Sequence, residues 1–161
     1  MYTQSDWDEA NALLRKRWWM VGIPTALLLA GVIASYVAFH GARDESGWIW
    51  TGLLTIACGG FFLFFHGVAI RPVAQYRRHI GLMLNGRMRE NTGVLTEVGA
   101  EPKQKDGVDC IAIVVNEGDR ADPEEDRLFY FDMLKGAPAM PVGTRVTVRS
   151  NDRMVSDIRP A

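Results

Sequence analysis

Residues 18–70 read WWMVGIPTALLLAGVIASYVAF (18–39), HGARDESG (40–47) and WIWTGLLTIACGGFFLFFHGVAI (48–70). Neither long stretch contains Lys, Arg, Asp or Glu. As helices of 22 and 23 residues they would extend about 33–35 Å at roughly 1.5 Å per residue. A bilayer hydrocarbon core is about 30 Å thick and takes roughly 20 apolar residues to cross. In lipid the backbone must satisfy its own hydrogen bonds, which leaves helix as the state for such a run. The pattern predicts a membrane α-helical hairpin over 18–70, with spans 18–39 and 48–70 and a tight loop at Gly41–Gly47. A soluble protein of 161 residues would hardly cover two such helices. A cleaved signal peptide fits no better, because its apolar core is only about 7–15 residues long and no Ala-x-Ala pattern follows Phe39.

Basic residues give the orientation. Arg15, Lys16 and Arg17 abut the first span, and Arg71, Arg77, Arg78, Arg87 and Arg89 follow the second. The loop carries Arg43 alone, beside Asp44 and Glu45. Lys and Arg near span ends mark the cytoplasmic side, and Trp prefers the interface, as at Trp18, Trp19, Trp48 and Trp50. Both termini are therefore expected in the cytoplasm of a cell whose inner membrane holds the hairpin. Arg15, Lys16, Arg17, Arg71, Arg77 and Arg78 are the candidate contacts to anionic head groups.

The segments flanking the hairpin read as helical. In residues 1–17, Ser5 with Asp8 has the form of a capping box, and Trp7, Ala10, Leu13 and Leu14 recur at helical spacing. This predicts a short amphipathic helix that lies on the inner membrane surface or runs into the span. Pro24 is expected to kink the first span. Residues 71–90 form a basic juxtamembrane helix: Pro72 suits its first turn, Val73, Tyr76, Ile80 and Met83 make one stripe, and Asn85–Gly86 can end it. Within the spans, Ala26, Ala30, Ala34 and Ala38 lie four apart, with Gly31 and Ser35 beside them and Gly52, Thr55, Gly59 and Gly60 in the second run. Small-xxx-small lines let membrane helices approach closely. Ala26, Ala30, Ala34, Ala38 and Gly59 are thus candidate helix-packing residues, within one chain or in a homo-oligomer. His66 is an ionisable residue inside a span, but it lies within about a turn of the basic end and no carboxylate accompanies it.

Beyond Asn91 the period changes to two. Val94–Val98, Val108–Val115, Leu128–Leu134, Arg145–Ser150 and Met154–Ile158 have the alternation of strands. They are separated by a polar turn at Pro102–Gly107, an acidic loop at Glu117–Arg127, a Pro/Gly-rich connection at Lys135–Gly143 and a tight turn at Ser150–Arg153. Five short strands in residues 91–161 predict a small all-β domain, a five-stranded OB-like or SH3-like barrel whose closure removes exposed edges.

The hairpin followed by such a domain resembles the short NfeD-like (nodulation efficiency D) membrane proteins. The residues that carry the likeness are Pro141-Val142-Gly143-Thr144-Arg145-Val146-Thr147-Val148, a turn, then Met154-Val155. They are similar to that family's final Gly-x-x-Val-x-Val hairpin, and Thr92-Gly93-Val94-Leu95-Thr96 resembles its opening strand. The long acidic loop departs from the family pattern. The resemblance implies an oligonucleotide-binding-type fold used for protein contacts, often beside stomatin-like scaffolds, and no catalysis in a short member.

Composition excludes several classes. The net charge is −1, and residues 71–161 carry 14 basic and 14 acidic side chains, so no global field draws in nucleic acid. Cys58 and Cys110 have no metal-site spacing and, on the inner side, no call to pair. His40, His66 and His79 all lie at or near the membrane region, which excludes a histidine-based triad or metal site in the barrel. Asp119, Asp122, Glu124, Glu125 and Asp126 lack EF-hand spacing and read as a solvated loop. No cofactor is expected. Of the consecutive aromatics Phe129, Tyr130 and Phe131, at least one should face outward, and they are the candidate partner contacts. The sequence thus points to a non-enzymatic membrane scaffold or adaptor whose β-barrel binds an unidentified membrane or cytoplasmic protein. The alternative is an accessory or regulatory subunit of a larger transporter or channel.

Overall fold

The structure is a computed structural model that describes residues 2–40, 45–118, 122–136 and 138–161. Most of the expected loop (41–44, with Arg43 and Asp44) and Asp119 lie outside the described residues. The chain divides into two compact units. One joins residues 1–9 to 75–161; the other is residues 10–74. The expected boundaries at 17/18 and 70/71 follow hydropathy, and that at 90/91 follows the change of period.

Helix α1 runs from Gln4 to Phe39 and α2 from Glu45 to Phe65. A π turn, His66–Ile70, leads into α3, Arg71–Asn85. Two helical stretches are long and apolar enough to cross a membrane, and only 6% and 11% of their apolar windows are buried. The N-terminal amphipathic segment runs into the first apolar stretch as one continuous helix, with Pro24 inside it. The π turn has a local cause. The Arg71 N–H reaches back five residues to the His66 carbonyl, and Pro72 next door offers no N–H to close an ordinary turn.

Within residues 10–74 the helices meet through polar and aromatic side chains. Thr51 donates to the Gly47 carbonyl at 2.9 Å and lies 2.7 Å from Ser35 Oγ. With one proton per hydroxyl, Ser35 is then the donor to Thr51. The Cys58 thiol faces the Thr25 carbonyl at 3.8 Å. Trp48 meets Tyr36 edge-on, and Trp18 meets His66. Gly47 abuts the Phe39 ring, where a Cβ would collide.

The β domain has strands β1 (Arg89–Lys105), β2 (Val108–Asn116), β3 (Asp126–Asp132), β4 (Arg145–Asn151) and β5 (Met154–Pro160). They form one mixed five-stranded sheet in the order β1-β2-β3-β5-β4, with β4 returning to β1. Every pairing is antiparallel except β3 with β5, which meet at the single pair Tyr130↔Met154. Leu95, Ile113, Val115, Phe129, Phe131, Val146, Val148 and Val155 fill the interior. A second cluster, Met83, Val108, Cys110 and Met154 with Tyr2, Tyr76, Met88 and Tyr130, packs α3 against the sheet.

β1 is the main departure from expectation. It starts at Arg89, within the expected helix, and passes through Pro102 to Lys105. Its pairing with β2 is irregular between Val98 and Pro102, and a proline with no N–H to offer is tolerated at a bulge. The turn shrinks to Asp106–Gly107, both at positive φ, as a two-residue hairpin requires.

Candidate functional site

The N-terminal residues fold onto α3 and the β domain. The first turn of α1 is capped by Thr3 and Asp6: Asp6 N–H donates to Thr3 Oγ1 at 3.3 Å, and Thr3 N–H to Asp6 Oδ2 at 2.7 Å. The expected Ser5–Asp8 box is therefore displaced two residues upstream. Lys135 pairs with Asp6 Oδ1 at 2.8 Å. That hydrogen bond, followed by those from Thr3, holds the Asp6 carboxyl below the usual carboxylate range. Trp7 lies under the Arg77 guanidinium at 4.8 Å, a cation–π contact. Its ring also sits where a Cβ on Gly81 would stand.

Asp132 is the centre of this clasp. It is 1% exposed. Its Oδ1 accepts from Leu134 N–H at 2.9 Å; its Oδ2 accepts from the Tyr2 hydroxyl at 2.9 Å and the Tyr76 hydroxyl at 3.1 Å. Tyr2 oxygen also lies 2.9 Å from His79 Nε2. Since the Tyr2 proton goes to Asp132, His79 must donate from Nε2. Burial, then the nearby Asp132 charge, raises both phenols well above the ordinary tyrosine range. Burial also lowers His79, and outweighs the opposing pull of Asp132. Cys110 is pushed up to about 11 by burial and then by Asp132, so its thiol is not a thiolate nucleophile at neutral pH. His79, 4% exposed, is carried to the β domain by α3. No motif marks this cluster, because Tyr2 and Asp132 are 130 residues apart.

Other expected residues fall in varied places. Arg15, Lys16, Arg71 and Arg78 are exposed, whereas Arg17 and Arg77 are half-buried. Ala26, Ala30, Ala34 and Ala38 are exposed, and Gly59 has nothing within 4 Å of its Cβ position. The α1–α2 contacts instead use Thr25 and Ser35. Phe129 and Phe131 are core residues at 4% exposure each, so they present nothing to a partner. Tyr130 is half-buried with Lys105 Nζ 5.0 Å above its ring. The exposed large apolar residues of the described β domain are Met133, Leu134 and Val142. Met133 and Leu134 sit on a short 3-10 turn whose start Asp132 caps. In the acidic loop, Asp122 caps the Pro123–Glu125 turn, and Asp126 accepts from Asn116 at 2.8 Å. Among the described residues no three His, Cys, Asp or Glu side chains converge as a metal site.

A cleft of about 680 Å³ opens beside the β3–β5 join. Arg87, Arg89, Arg127 and Arg153 line it, with Glu117, Asp126 and Asp152. Arg87 and Arg89 are legible in the sequence as basic residues that follow the second apolar run. Their meeting with Arg127 and Arg153 depends on the strand order and has no local signal.

No family model, curated protein or solved structure matches this chain.

Proposed function

We propose that the protein is a non-enzymatic integral membrane scaffold or adaptor. Spans 18–39 and 48–70 anchor it in the inner membrane, with Arg15, Lys16, Arg71 and Arg78 toward anionic head groups. The five-stranded domain is an OB-like barrel that binds a protein partner. The observation that carries this reading is the exposure of the apolar helices. Among the described residues, all but four of the exposed large hydrophobics lie between Leu13 and Val68. Burying one such side chain is worth about 1.5–3 kcal/mol, and an exposed apolar surface of this extent marks an interaction site. The closed strand order with one parallel join favours the OB-like form over the SH3-like one, in line with the NfeD-like resemblance of the β4–β5 hairpin. On the β domain the partner contact shifts from Phe129 and Phe131 to Tyr130 and the Met133–Leu134 turn.

The accessory-subunit reading has its own support in the uncovered Ala26–Ala38 line, which also suits a homo-oligomer. Photo-crosslinkers placed at Leu134 and at Ala30 separate the readings in native membranes. A discrete partner captured from Leu134 supports the scaffold. Capture of a polytopic membrane protein through Ala30 alone replaces it with the accessory-subunit reading.

A further inference from the structure

The arginine cleft is built from separate parts of the chain and held in place. Asn151 Nδ2 donates to the Arg87 carbonyl at 2.9 Å, which ties the α3–β1 connector to the β4–β5 turn. Tyr130 N–H donates to the Arg153 carbonyl at 2.8 Å, and Lys105 Nζ to the Asp152 carbonyl at 2.7 Å. The cleft's carboxylates are already engaged. Glu117 pairs with Arg127 at 3.4 Å and accepts from Asn91; Asp126 accepts from Asn116; Asp152 pairs with Lys105 at 3.8 Å. Among the described residues, Arg87, Arg89 and Arg153 are in no ion pair. Arg153 also sits at φ 68°, a left-handed position where glycine is the favoured residue. With Asp152 at φ 43° beside it, this is the geometry a two-residue β4–β5 hairpin requires, and the turn brings Arg153 into the same cleft as Arg87 and Arg89. The lining contains four Arg and no Lys, and the planar guanidinium fork matches phosphate oxygens two at a time.

We propose that this cleft binds a phosphate-bearing anion through Arg87, Arg89 and Arg153. The site does not depend on the scaffold reading. Its ligand is either a soluble phosphorylated compound or a phospholipid head group, since both offer the same oxygens. The pinned backbone leaves little to order on binding. Attraction through exposed guanidiniums weakens as salt rises.

The test uses the full chain in nanodiscs of zwitterionic phosphatidylcholine. Titration calorimetry follows binding of pyrophosphate and, separately, of soluble dihexanoyl phosphatidic acid. Variants Arg153→Gly and Arg89→Gln are compared with the parent. Arg153→Gly relaxes the turn, so its fold is retained and lost binding reports on the side chain. The expected result is binding of at least one probe, weakened about tenfold or more in each variant, the scale of a lost charged hydrogen bond. Preference for pyrophosphate identifies a soluble ligand, and preference for the lipid a head group. No binding of either probe at millimolar concentration, or binding unchanged in both variants, overturns the site.

Discussion

Asp132 accepts three hydrogen bonds in a position almost closed to water, and two come from tyrosines distant in sequence. A buried polar group that loses its partner costs about 1–3 kcal/mol. Tyr2→Phe removes a hydroxyl that serves both Asp132 and His79, so it should destabilise the β domain by that amount. Tyr76→Phe leaves Asp132 with two donors and His79 with its partner, and should cost less. Thermal unfolding by circular dichroism checks the order; an equal or reversed ranking would show that the Tyr2 hydroxyl does not serve both Asp132 and His79. His79 adds a pH dependence of definite sign. Its folded pKa is depressed by burial, so below about pH 6.5 the unfolded chain binds the proton more readily. The stabilisation is present above that value and is lost as the pH falls. His79→Gln keeps a donor near Nε2 and removes the titration. The melting temperature of the parent should therefore fall more than that of His79→Gln between about pH 7.5 and about pH 5.5. Asp6, also depressed, contributes its loss only below about pH 4, outside this window.

At the scale of elements, legibility follows the range of the deciding contact. Four strands stand close to expectation, at Val108–Asn116, Asp126–Asp132, Arg145–Asn151 and Met154–Pro160. Their Val and Ile alternate with period two, and a half-buried sheet needs little else. The helical stripe of α3 was equally plain, since Ile80 and Met83 are buried as their spacing implied. Arg89–Asn91 carries no apolar period, and pairing with Val148–Ser150 is what makes it strand. Pro102 reads as a turn locally and becomes strand only because the β1–β2 pairing is irregular beside it. The cap of α1 falls at Thr3–Asp6 and not at the expected Ser5–Asp8, and a lysine 129 residues away pairs with that Asp6. The clasp and the arginine cleft belong to the same class: each is assembled by topology, so no window of sequence contains it.

At the scale of the whole molecule, the order of the chain carries an argument that charge counting lacks. Residues 1–9 and 75–161 make one compact unit, while the two apolar runs lie in the segment between them. On the proposed membrane reading, a hairpin that crosses a bilayer twice returns the chain to the side it left, as a unit assembled from both flanks would require. A single crossing would place Tyr2 and Asp132 on opposite faces of the membrane and break the hydrogen bond that joins them. The proposed orientation rests on the basic residues: Arg15, Lys16, Arg17, Arg71 and Arg78 flank the apolar runs on one side, against Arg43 in the loop. Single cysteines at Asp8, Ser46 and Lys103, in a chain with Cys58 and Cys110 replaced, test both steps. An impermeant maleimide on intact cells should label Ser46→Cys, and should reach Asp8→Cys and Lys103→Cys only after permeabilisation. Labelling of Asp8→Cys and Lys103→Cys alone would invert the orientation and keep the hairpin. Labelling of Asp8→Cys but not Lys103→Cys would remove the double crossing, because the two halves of the β-domain unit could not then share a compartment.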